Sequence, residues 1–126
     1  MGKRILIVDD DGIILSVMSE MLACIGGYEV VARPNGTEGL LAFSEDPSGF
    51  DLLITDHYMD GITGLELAKE ALKRRSDLPV IFLSGSDCGL KTEAPRGRTS
   101  LVRKPITIDQ LLPLIEQMLS PNIPAA

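Results

Sequence analysis

Three aspartates, Asp9, Asp10 and Asp11, stand directly after the apolar run Ile5-Leu6-Ile7-Val8. Three further apolar runs also end on reactive residues. Leu52-Leu53-Ile54-Thr55 leads into Asp56, Val80-Ile81-Phe82-Leu83 into Ser84, and Leu101-Val102-Arg103 into Lys104-Pro105. These types suit phosphate chemistry. Adjacent carboxylates supply the hard oxygen ligands that Mg²⁺ prefers, and a cation relieves their mutual repulsion. A further carboxylate can attack phosphorus in line, while a hydroxyl and a compact ammonium meet the charge on the phosphoryl oxygens. A single Asp after a strand is ordinarily a turn or cap residue, and Asp11 takes that role beside the first helix. Two caps in succession are not needed, so Asp9 and Asp10 go to the metal. Ser84 or Lys104 alone would mean nothing; the combination at four strand ends does.

Those residues share a cleft only if the runs are parallel strands whose carboxyl ends meet along one sheet edge. Strand-like runs alternate with helix-like ones throughout, which predicts a parallel sheet covered on both faces. Strands are expected at about 4–8, 28–33, 51–55, 79–84 and 100–103, the second being more polar and edge-like. Ile14, Met18, Met21, Leu22 and Ile25 recur at helical spacing, with Cys24 expected in that helix core and Gly26-Gly27 ending it. Asn35 caps a helix carrying Leu40, Leu41 and Phe43. Leu65, Ala68, Ala71 and Leu72 line a third. Thr107 caps the last, with Ile108, Leu111, Leu112, Ile115 and Met118 as its stripe. Between positions 85 and 99, glycines and a proline replace apolar periodicity, so the fourth helix of the alternation is expected to be weak. One domain over 3–119 and a flexible tail over 120–126 complete the expectation.

Composition excludes several classes. The 126 residues carry a net charge of −6, which argues against direct nucleic-acid binding. No apolar stretch approaches the ~20 residues of a membrane span, and the N-terminal residues do not read as a signal peptide. A cytoplasmic chain is expected. Cys24 and Cys88 have no metal-ligand spacing and are expected to be reduced.

The same residues resemble the receiver domain of two-component response regulators, over about positions 3 to 119. The resemblance rests on Ile-Leu-Ile-Val-Asp-Asp-Asp, on the segment from Asp51 to Leu67, on Leu-Pro-Val-Ile-Phe-Leu-Ser and on Arg-Lys-Pro. It implies a doubly wound five-stranded parallel sheet of flavodoxin-like order 2-1-3-4-5, with helices on both faces. It implies Mg²⁺ held by Asp9, Asp10, Asp56 and the Tyr58 carbonyl, phosphorylation of Asp56, and assisting roles for Ser84 and Lys104. The implied partners are a histidine kinase or histidine phosphotransfer protein and a downstream output protein or domain, with homodimer formation left open. Hybrid histidine kinases are one source of such a receiver, and the chain is either a stand-alone unit or part of a larger protein.

Three departures from the pattern stand out. Asp60 replaces the usual proline, Leu101 replaces the aromatic whose rotation relays the signal, and segment 85–99 replaces an ordinary helix. Ordering of part of that segment on phosphorylation is the expected substitute for a ring flip. Two rivals are weighed. A haloacid-dehalogenase-like phosphatase needs an acid two residues after its nucleophile, where this chain has Tyr58. A pseudo-receiver would never be phosphorylated, which the intact acids, hydroxyl and lysine disfavour.

Overall fold

Runs such as Ile5–Val8 and Leu52–Ile54 are apolar at every position because both sides of their strands are covered. A computed structural model describes residues 3–57, 59, 61–84, 99–103 and 107–119. The strands are β1 (Arg4–Val8), β2 (Glu29–Arg33), β3 (Leu52–Asp56), β4 (Val80–Ser84) and β5 (Thr99–Arg103). They form one sheet in the order β2-β1-β3-β4-β5, with every pair parallel. This is the doubly wound, flavodoxin-like order expected from the sequence. The helices among the described residues are α1 (Gly12–Cys24), α2 (Gly36–Glu45), α3 (Gly64–Arg74) and α4 (Ile108–Leu119). The expected weak helix before β5 and the tail after α4 lie outside the described residues.

Two apolar layers hold the sheet. Leu6, Val8, Leu53, Val80 and Phe82 meet α2 and α3 on one face, joined by Phe43 and Phe50, whose rings stack at 5.8 Å. Ile5, Ile7, Leu52, Ile54, Ile81 and Leu83 meet Met18 and Leu22 of α1 and Leu111, Ile115 and Met118 of α4 on the other. Far from the strand ends that carry the acids, the Arg4 guanidinium lies over the Phe50 ring and pairs with Glu29 at 3.0 Å.

Helix ends follow local chemistry. Asp11 Oδ1 accepts the Ile13 and Ile14 N–H groups, and Asn35 Oδ1 accepts that of Glu38, so both expected caps are present. At Thr107 the backbone N–H donates to Gln110 Oε1, half of a reciprocal cap. Four assignments within the helices need correction. Cys24, Ile14 and Ile25 are exposed rather than core residues of α1, and Leu41 is exposed on α2. α1 carries apolar residues all round, so periodicity alone could not choose its buried face; Met18 and Leu22 settle it, and Cys24 falls roughly opposite Leu22. On α2 the glycines at 36 and 39, with Phe43, form the inward face, which turns Leu41 outward. No helix among the described residues is long and apolar enough to cross a membrane.

Candidate functional site

β1 and β3 are neighbours with Val8 opposite Thr55, so the next residue of each strand brings Asp9 beside Asp56. Asp9 continues the sheet by donating its N–H to the Arg33 carbonyl at 3.3 Å. Both side chains are buried, at 1% and 7% exposure, while Asp10 beside them is open to solvent. One carboxylate oxygen from each of the three lies within 4.8 Å of the others. Asp11, third in the row, instead caps α1. Asp11 thus stands apart from the three acids that converge.

Backbone N–H groups set the angle of the two buried carboxylates. Asp11 N–H donates to Asp9 Oδ1 at 2.9 Å, and His57 N–H donates to Asp56 Oδ1 at 2.9 Å. Three carboxylates converging at the strand ends, two of them buried, repel one another. A hard divalent cation offsets that repulsion, and an all-oxygen donor set suits Mg²⁺ rather than a softer metal.

The chain that leaves Asp56 is closely tied. Gly64 N–H bonds to the His57 carbonyl at 3.0 Å, which closes the neck of the β3–α3 loop. Within the loop Met59 is buried in the core, and Gly61 takes φ +85°, a conformation glycine adopts without strain. Thr63 caps α3 in a reciprocal pair with Glu66, at 3.1 and 2.9 Å. A Cβ added at Gly64 would overlap the Asp56 carbonyl oxygen. Thr55, fully buried, donates its hydroxyl to that same oxygen at 2.9 Å.

β4 and β5 bring their ends to the same edge: Asp56 pairs with Leu83, and Ser84, the last residue of β4, pairs with Arg103. The Ser84 side chain, Tyr58, Asp60 and Lys104 lie outside the described residues. Leu101 is half-buried against the α2–α3 core and stands opposite Phe82 in the register. Sequence reasoning missed Thr55 and the backbone contact at Gly64. A threonine ending an apolar strand carries no signal beyond ordinary β preference.

A family model described as the response regulator receiver domain matches residues 5–116. The uncharacterized transcriptional regulatory protein YkoG of Bacillus subtilis (strain 168) is 37% identical over 121 residues, covering 94% of this chain and 52% of its own length. Among solved structures, the receiver domain from the hybrid histidine kinase CckA is similar with a TM-score of 0.79 and 35% identity, covering 93% of this chain and 99% of that one. The response regulator protein TrrA from Thermotoga maritima, in complex with Mg(2+)-BeF, matches with a TM-score of 0.80 and 33% identity, again over 93% and 99%. The chain spans 19% of the length of the relative ARR21 of Arabidopsis thaliana and 52% of that of YkoG.

Proposed function

The chain belongs to the response regulator receiver family, and on that premise we propose that Asp56 is the phosphoacceptor of a two-component phosphorelay. One observation carries this reading: the Asp56 carboxylate, oriented by the His57 N–H, converges with Asp9 and Asp10 within 4.8 Å. Asp9, Asp10, Asp56 and the Tyr58 carbonyl would hold Mg²⁺, which when bound supplies the positive charge that phosphoryl oxygens need. Similarity to TrrA, solved with Mg(2+)-BeF, supports that choice of ion.

In the transfer, an Asp56 carboxylate oxygen forms a bond to phosphorus while the donor's N–P bond breaks, and the electron pair of that bond stays on the donor histidine's imidazole. Ser84 donates a hydrogen bond to a phosphoryl oxygen and Lys104 places an ammonium beside another. The partners are a histidine kinase or histidine phosphotransfer protein in the cytoplasm and a downstream output protein or domain. The phosphodonor must approach along the rim of the acids. There α1 begins two residues after Asp10, and Ile13 (78% exposed) and Val17 (46%) present apolar surface suited to a partner helix. Tyr58, where a phosphatase needs its general acid, speaks against turnover of outside substrates.

Incubation with acetyl phosphate and Mg²⁺ tests the reading. Wild type gains the mass of one phosphoryl group and Asp56→Asn gains none. A wild-type chain that never takes up the label is instead a pseudo-receiver, and the proposal fails.

A further inference from the structure

We propose that Thr55 is a positioning residue for the phosphoacceptor, an inference that rests on the reading of Asp56 given above. Along β3 the side chains alternate between the two core layers, and Thr55 falls on the α2–α3 face after Leu53. Its register neighbours are Val8 and Phe82, both fully buried. A core that required only packing would accept valine here, because a buried hydroxyl costs stability unless it is bonded. The Thr55 hydroxyl donates to the Asp56 carbonyl at 2.9 Å.

That carbonyl belongs to the planar peptide unit whose other end is the His57 N–H. The same N–H donates to Asp56 Oδ1 at 2.9 Å and to the Leu83 carbonyl at 3.1 Å. One rigid plate thus carries the hydroxyl's hold at its oxygen end and the carboxylate's orienting donor at its nitrogen end. Gly64 bounds the oxygen end, since a Cβ there would overlap it, and bonds the following carbonyl, that of His57. Loss of the Thr55 hydroxyl removes its hold on the oxygen end, and the plate tilts. The His57 N–H swings with it, and the Asp56 carboxylate leaves the angle at which it meets Asp9 and Asp10. Thr55 touches neither phosphate nor cation; it acts through the peptide.

The test compares Thr55→Val with Thr55→Ser in the full chain. With acetyl phosphate and Mg²⁺ both saturating, Thr55→Val takes up phosphate about tenfold more slowly, in line with small misplacements of a reacting group. Thr55→Ser, which keeps the donor, restores the rate. In the absence of Mg²⁺ and phosphodonor, the Asp56 carbonyl ¹³C resonance moves upfield in Thr55→Val and stays in place in Thr55→Ser. A purely structural role would lower the melting temperature without this pairing of rate and carbonyl signal. Wild-type uptake by Thr55→Val, or equal slowing in both variants, overturns the proposal. If Thr55→Val does not fold, the wild-type Thr55 hydroxyl proton decides: slow exchange with water supports the bond, and fast exchange refutes it. Asp56→Asn keeps the two readings apart, because label surviving in that variant removes Asp56 as acceptor while the carbonyl signal reports on Thr55 alone.

Discussion

α1 and α3 both begin on glycine, and the two glycines do opposite things. A Cβ at Gly12 would meet nothing within 4 Å, whereas one at Gly64 would overlap the backbone of Asp56. The rest of each helix continues the contrast. α3 has a reciprocal cap, an acidic residue (Glu66) in its first turn, Lys73 and Arg74 in its last turn, and an inward stripe of Leu65, Leu67, Ala68 and Ala71. α1 has one side-chain cap, no basic residue and exposed Ile13, Val17 and Ile25. α3 is satisfied within the fold and locked to β3. α1 satisfies its core with Met18 and Leu22 and leaves apolar surface beside the acids. A rigid wall and an open flank thus border the same cleft.

Gly64→Ala should break the wall most visibly. Overpacking against strand backbone costs roughly 1–3 kcal/mol, so denaturant unfolding should show a lower midpoint, and phosphate uptake by Asp56 should slow in the folded fraction. An unchanged midpoint would show that the loop neck yields and that α3 is no wall. On the open flank, Val17→Gln should leave stability within about 0.5 kcal/mol while phosphotransfer from a protein donor falls about fivefold to tenfold. Labelling by acetyl phosphate should not change, which separates docking from chemistry. Equal loss with both donors would place Val17 in the scaffold instead.

Smaller effects sharpen the contrast. Gly12→Ala, in open space and at negative φ, should stabilise the chain by about 0.4–1 kcal/mol, read as a higher melting temperature. The last prediction concerns the outer surface of α3. The Lys73 ammonium, 2.8 Å from Glu70, holds that carboxyl below its ordinary pKa. Its contribution is therefore present above the ordinary glutamate value and fades as pH falls through the lower folded value. Glu70 is 39% exposed, so Glu70→Gln should differ from wild type only slightly at neutral pH, and not at all in strong acid or high salt.

The ease of reading the sequence follows the same division. The expected strands fall within one residue of their observed ends, most simply for β1, β3 and β4, because a strand buried on both faces is apolar almost without interruption and its limits are sharp. The α3 stripe was legible because charge marks its outer side. α1 was not: Ile14, Cys24 and Ile25 obey helical spacing as well as Met18 and Leu22 do, and only packing against the sheet and α4 distinguishes them. Asp9, Asp10 and Asp56 were legible as a set because each follows an apolar run. Thr55 was hidden, since its importance lies in one hydrogen bond to a neighbour's carbonyl.

The three acids reach one another only through the pairing of β1 with β3, which are separated in the chain by α1, β2 and α2. In the unfolded chain Asp56 has no fixed relation to Asp9 and Asp10. Any cation that bridges the strand ends therefore binds the native state alone, and its binding free energy adds to the stability of the whole sheet by mass action. The melting temperature becomes a titration curve for the site. Fluctuations that part β1 from β3 would release such an ion in the same event, so a higher concentration of it would make those openings rarer.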